Sequence, residues 1–212
     1  FYRYKNHFCL CASPERYLKK EGSRIFSQPI KGTIKRIEDP LLDKINQDKL
    51  LNSAKDFSEN VMIVDLVRND LSRIAKKSTV KVDELAGLYT YRDVHHLIST
   101  ISCKIDKNTT ISDVLQASFP MGSMTGTPKI RAMQLIEEFE NTLRGLYSGS
   151  IGYITPNKDF DFNVVIRSVF YNQQSHYLSF MVGGAITIDS DPELEYEECL
   201  VKAKSIFEAL GV

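Results

Sequence analysis

A chain of 212 residues in which 27 basic side chains balance 27 acidic ones has no formal net charge, so no global field draws it to nucleic acid or to a membrane surface. That length buries a sizeable core in one large domain or two small ones. The mixture of apolar, aromatic and charged residues is that of a globular protein, with no signal-peptide pattern and no apolar run near the ~20 residues of a spanning helix.

Phe1 to Ala12 interleaves aromatic and apolar residues with polar ones and reads as a strand. Because a strand begins at Phe1, the chain is expected to be the later part of a longer protein. Ser13-Pro14-Glu15-Arg16 ends that run and leaves the Glu15 carboxylate just beyond it. Gln28-Pro29-Ile30-Lys31-Gly32-Thr33, after the β-rich Ser23 to Phe26, is expected to be a strand leading into a turn. Pro29 fixes its own φ and keeps Gln28 extended, and Gly32 permits an angle or a close approach denied to other residues. Lys31 is therefore held on a restrained segment. On these six residues alone, an ordinary solvated amine and an activated nucleophile both stay open.

Asp39-Pro40 opens a long helical stretch with Leu42, Ile45, Leu50, Ala54, Phe57 and Val61 on its apolar stripe and Glu59 off it. Val61 to Val67 is apolar apart from Asp65, and periodicity does not separate strand from buried helix there. Arg68-Asn69-Asp70 ends the run, with capping and ion pairing as the plain role. Thr79 to Asp83, Leu88 to Tyr91 and His95 to Ile105 read as extended, with His96 on the face of Ile98, Thr100 and Ser102. Thr110 and Asp113 form a capping-box start for a short helix. The glycine- and hydroxyl-rich Phe119 to Lys129, containing Ser123, leads into a helix from Pro128 to Phe139. Ile130, Met133, Ile136 and Phe139 are expected to be its buried stripe. This loop lacks the Gly-Lys-Ser/Thr of a phosphate-binding loop.

Gly149 to Thr155, Asp161 to Tyr171 and His176 to Val182 read as an antiparallel meander. In its middle strand Arg167 lies among apolar neighbours, and a buried guanidinium costs several kcal/mol unless an anion pairs with it. Gly183-Gly184 interrupts the third run, which indicates a close backbone approach. Asp191 and Pro192 start a final helix, with Leu194, Val201, Ile206 and Leu210 expected to pack inward and Glu195, Glu198 and Lys202 on another stripe. Carboxylates one turn apart suit Mg²⁺, which takes oxygen ligands. Cys9, Cys11, Cys103 and Cys199 close no zinc spacing, and His7, His95, His96 and His176 form no metal motif. Reduced thiols in a cytoplasmic protein are the expectation.

The ordered set Ser13-Pro14-Glu15, Pro29 to Thr33, Asp65 to Asp70, Gly126 to Lys129, Ile166-Arg167-Ser168 and Gly183-Gly184-Ala185 resembles the chorismate-binding enzymes. The resemblance covers Phe8 to Leu210. It implies an α/β (α+β) sandwich of two largely antiparallel sheets, packed face to face with outer helices. Residues 1–212 would then be the C-terminal part of the catalytic domain. It further implies Mg²⁺ held by Glu59, Glu198 and nearby Glu195, with one chorismate carboxylate on the metal. The other carboxylate would pair with Arg167, assisted by Tyr147, by the amides around Gly183 and Gly184, and by Lys202. Ser123 would lie close to the ligand, His96 near its ring, and Glu15 where it protonates the departing hydroxyl.

Within that family, members that place nitrogen at C2 carry a small residue where Lys31 stands, and members that place it at C4 carry Lys. The resemblance therefore implies a chain that forms 4-amino-4-deoxychorismate from chorismate and ammonia, with a glutamine amidotransferase subunit as ammonia source. A Lys31 amine attacking C2 would expel the C4 hydroxyl, and ammonia would then enter at C4 and expel the lysine. Such an amine must be neutral when it attacks, against an ordinary pKa of about 10.4, and Glu15 must hold its proton near neutral pH. An anthranilate-forming enzyme and a silent chorismate-binding module are the alternatives.

Overall fold

The computed structural model describes residues 1–188 and 190–211; Asp189 and Val212 lie outside them. The opening residues form two strands, β1 (Tyr2–Tyr4) and β2 (His7–Cys11), because the chain reverses at Lys5 with φ 54°. Next come β3 (Arg16–Glu21), β4 (Arg24–Gln28), β5 (Ile30–Lys35), α1 (Pro40–Leu51) and α2 (Ala54–Ser72). They are followed by β6 (Lys81–Thr90), β7 (Val94–Lys104), α3 (Ile111–Ser118), the single turn α4 (Gly122–Thr125) and α5 (Lys129–Phe139). The chain closes with β8 (Ser150–Ile154), β9 (Phe160–Val164), β10 (Ser168–Asn172), β11 (Tyr177–Phe180) and α6 (Pro192–Leu210).

Caps account for several boundaries. Asp39 accepts from Leu41 and Leu42 N–H ahead of Pro40, Ser53 accepts from Asp56 N–H, and Asp191 accepts from Leu194 N–H ahead of Pro192. Thr110 and Asp113 make the expected capping box. The expected long helical stretch is two helices, since Ser53 caps a new start. The apolar run from Val61 to Val67 is helical, and α2 continues through Arg68, Asn69 and Asp70 to Ser72. Pro128 caps α5 from outside and is not its first residue.

The elements group into two units. The larger comprises Glu15–Glu140 and Gly152–Asn163; the smaller comprises Phe1–Pro14, Asn141–Ile151 and Val164–Val212. The larger unit's sheet runs β5-β7-β4-β3-β9-β8, with β6 on β7. Strand β7 organises it. Lys104 to Ile101 pair with β4, Ile98 to Val94 pair with β5, and β6 takes the other edge, all antiparallel. Pro29 stands between β4 and β5, where its missing N–H costs no ladder bond and its carbonyl accepts from Ser99 N–H at 3.2 Å. Strand β7 is buried almost throughout, as expected for a strand paired on both edges, and α2 packs against β5, β6 and β7. Leu18, Ile25, Ile63, Leu71, Leu97, Ile101, Cys103 and Ile105 form that core. Burying such side chains supplies about 1.5–3 kcal/mol each.

The smaller unit has the antiparallel sheet β1-β2-β10-β11, and the Phe180 and Phe207 rings meet edge-on at 5.3 Å between β11 and α6. The expected three-strand meander is instead two hairpins in different sheets. The stretch from Asp161 to Tyr171 leaves extended pairing at Val165 to Arg167, where Arg167 has φ 51°, so β9 and β10 are separate strands.

Several expected inward stripes face outward. Ile130 and Phe139 of α5 are 75% and 70% exposed, and Met133 is exposed too; in α6 Leu194, Val201 and Leu210 are exposed while Ile206 and Ala203 are buried. Leu42, Ile45, Phe57 and Val61 of the first helices are likewise exposed, in contrast to Leu50. Helical periodicity identifies a face able to be covered; a neighbouring element has to do the covering. The four cysteines are free thiols. Among the described residues, no helix is long and apolar enough to cross a membrane.

Candidate active site

In the larger unit the local backbone sets the position of Lys31. Its segment is no turn: the β5–β7 register shifts between Ile30 and Thr33, so Lys31 and Gly32 form a bulge within a strand. Gly32 adopts φ +90°, and a Cβ there would lie 3.1 Å from Asp56 Cβ and from Leu50 Cδ1. Both facts demand glycine. The bulge sends the Lys31 side chain toward α2, where its Nζ lies 3.7 Å from Glu59 Oε2. The two side chains are only 17% and 13% exposed. Glu59 is therefore not on a solvated helix face.

Glu15 is buried just ahead of β3. Burial pushes its carboxyl up to about 7, while a hydrogen bond with Ser123 and the charge of Lys31 pull the other way. Ser123 is carried by α4, whose Gly122 fits closely against α2; a Cβ there would lie 2.6 Å from Leu66 Cδ2. His96 is buried on β7. Its Nδ1 lies 2.8 Å from Thr33 Oγ1 and its ring 5.5 Å from that of Tyr91. Lys31, Glu59, Glu15 and Ser123 thus come together, with His96 hydrogen-bonded to the same strand that carries Lys31.

The smaller unit gathers the cationic group. Arg167 is half-buried at the break between β9 and β10, not within a continuous buried strand. Burial pushes its guanidinium down from the usual range, and Tyr147 and Glu198 act electrostatically in the opposite sense. Its Nη1 donates to the Lys202 carbonyl at 3.4 Å. An acid from α6 therefore neighbours Arg167 although none flanks it in sequence. Lys202 Nζ pairs with Glu198 Oε1 at 2.5 Å and donates to the Gly183 carbonyl at 2.9 Å. The close approach expected at the paired glycines is present. A Cβ on Gly183 would lie 3.1 Å from Tyr147 Oη, and one on Gly184 3.0 Å from Glu195 Oε2. Glu195 is buried and accepts from Ser190 Oγ at 2.8 Å.

Residues without an obvious motif complete the larger unit's site. Asn60, next to Glu59, is buried and donates to the Lys31 carbonyl at 2.8 Å. Buried His95 bridges Asp43 Oδ1 and Thr90 Oγ1, each at 2.9 Å, which ties α1 to β6 and β7. A polar residue on the apolar side of a helix, as Asn60 is, was the available signal. Among the described residues, no three His, Cys, Asp or Glu side chains converge as a cation site.

Both sheets and their helices recur in an enzyme of known structure. Anthranilate synthase component I from Streptococcus pneumoniae superposes with a TM-score of 0.83 at 34% identity, over 97% of this chain and 45% of that one. The sequence profile described as chorismate binding enzyme matches residues 1–208, and the chain belongs to that family. Aminodeoxychorismate synthase component 1 of Salmonella typhimurium is 43% identical over 210 residues, 99% of this chain and 46% of the relative. Anthranilate synthase component 1 of Aquifex aeolicus is 39% identical over 201 residues, 95% of this chain and 40% of the relative. The chain thus spans less than half the length of these curated relatives.

Proposed function

We propose that this chain carries the chemistry of an aminodeoxychorismate synthase component 1, which forms 4-amino-4-deoxychorismate and water from chorismate and ammonia. The observation that carries this reading is the pairing of Lys31 with Glu15: an amine fixed on a strand bulge, electrostatically linked to a buried carboxyl that stays protonated up to about pH 7. The relatives' names support it. The Lys31 nitrogen bonds to C2 as both ring double bonds shift, and the C4–O bond breaks with Glu15 supplying the proton that releases water. Ammonia then bonds to C4, both double bonds shift back, and the C2–N bond breaks to free Lys31. Arg167 binds a substrate carboxylate, with Tyr147, Lys202 and the Gly183-Gly184 backbone beside it, since a guanidinium pairs with carboxylate through charge-assisted hydrogen bonds. His96, held by Thr33 through Nδ1, orients the ring or moves a proton.

Mg²⁺ belongs to this reading. Glu59 and Glu198 each offer a carboxylate that a lysine now neutralises, and Glu195 adds a buried one; oxygen donors of this kind suit a hard cation. Glu59, Glu195 and Glu198 would hold it, and the ion would neutralise a substrate carboxylate. Ammonia would come from glutamine through a partner amidotransferase in the cytoplasm, toward p-aminobenzoate and folate.

The test is product analysis with the full-length protein, chorismate, ammonia and Mg²⁺. Expected is an amino-cyclohexadiene that retains its enolpyruvyl group, with no release of anthranilate and pyruvate. Replacing Lys31 with Ala is expected to abolish it. With chorismate but no ammonia, mass spectrometry should find chorismate less one water on Lys31. Normal product from Lys31→Ala would sink the covalent route.

A further inference from the structure

Helix α2 holds Lys31 at both ends. Glu59 lies 3.7 Å from its Nζ, and the next residue, Asn60, donates through Nδ2 to its backbone carbonyl at 2.8 Å. That carbonyl sits in the β5 bulge, where the register shift disturbs regular pairing with β7. Asn60 is 1% exposed, and the same Nδ2 also donates to Asp56 O at 3.0 Å. A side-chain amide inside a protein can be turned either way, so something must orient this one. Ser99 does so. Its Oγ accepts from Ala86 N–H at 2.9 Å, which leaves the hydroxyl proton to donate to Asn60 Oδ1 at 3.1 Å. With Oδ1 committed to Ser99, the NH₂ group faces the Lys31 carbonyl. Ala86 has φ 50° at an irregularity of β6 between Glu84 and Gly87, so the bulge in β6 points its N–H at Ser99. A chain of hydrogen bonds from β6 through β7 and α2 therefore ends on the backbone of the proposed nucleophile.

We propose that Asn60 is a positioning residue for Lys31: through the bulge carbonyl it fixes the origin from which the amine reaches the reacting carbon. The inference rests on the proposed function, since it needs Lys31 to react. An arm of four methylenes does not hold its amine in place unless its base is fixed, and a misplacement near 1 Å is worth up to about 100-fold in rate.

The test compares Asn60→Ala, Ser99→Ala and Lys31→Ala in the full-length protein with chorismate, Mg²⁺ and ammonia. Asn60→Ala is expected to lower kcat by about 10- to 100-fold with KM within about threefold. A single turnover without ammonia separates placement from damage. Misplacement slows the rate constant for modification of Lys31 at full amplitude, whereas a purely structural defect lowers the amplitude at an unchanged rate constant. Ser99→Ala keeps Asn60 but frees its amide to turn, and a kcat reduced about threefold or more is expected. This variant decides the matter if Asn60→Ala does not fold. Unchanged kcat in whichever variant folds, or a loss confined to amplitude, overturns the inference while leaving the proposed function in place. Lys31→Ala with full turnover overturns the covalent route and this inference with it.

Discussion

Glu15 keeps its proton to about pH 7 because burial denies its carboxylate water, and Ser123 and Lys31 offset only part of that cost. Its folded pKa lies above the ordinary value of 4.5. It therefore contributes stability that is full below the unfolded pKa and is lost as pH rises through about 7, on the order of 3 kcal/mol. Activity follows the same proton: kcat is expected to fall about tenfold per pH unit above about 7. Glu15→Gln should lower kcat by about 10²- to 10⁴-fold, remove that limb, and flatten unfolding free energy measured between about pH 5 and pH 8. A variant that unfolds with the parent's pH slope would assign the titration to another group. At this scale the residue types were readable and their surroundings were not. Glu15 stood beyond a strand end in sequence, but Ser123, its hydrogen-bond partner, lies far along the chain. No acid flanks Arg167 in sequence, whereas Glu198 of α6 is its electrostatic neighbour in the fold.

Element boundaries were legible where a cap or a proline is local. Asp39-Pro40, Thr110 with Asp113, and Asp191-Pro192 start helices as their side chains dictate. The bulge at Lys31-Gly32 was not legible, because a register shift is a property of two strands and β7 lies far along the chain from β5. One tie between elements carries stability on its own account. Lys129 at the start of α5 pairs with buried Asp70 of α2 at 2.6 Å and donates to the Ser118 carbonyl that ends α3 at 3.0 Å. Lys129→Met leaves that carboxylate buried without its cation and is expected to destabilise by about 3–5 kcal/mol in denaturant titration. Adding Asp70→Asn should restore much of the loss, and a double variant no better than the single would show that the aspartate charge is not the cause. Helix α6 bears the other element-level expectation. Glu198→Gln should raise the Mg²⁺ concentration for half-maximal activity by about tenfold or more, and a titration overlying the parent's would remove Glu198 from the metal set.

For the whole molecule, the sequence resemblance and the observed architecture agree on mixed helices and two antiparallel sheets. What strand patterning did not reveal is membership: β8 with β9 and β10 with β11 looked like one meander because alternation reports a strand and not its sheet. The apolar stripes of α5 and α6 misled for a related reason, since Ile130 and Leu194 have the right spacing but nothing in the described chain buries them. The division into units has a consequence for synthesis. The backbone passes between units after Pro14, Glu140, Ile151 and Asn163, so neither is one uninterrupted stretch. As the chain leaves the ribosome, the larger unit has all of its residues once Asn163 emerges, with the Lys31 bulge already provided for. The smaller unit must wait for α6, and its first strands are made well before β10, the neighbour that pairs with β2.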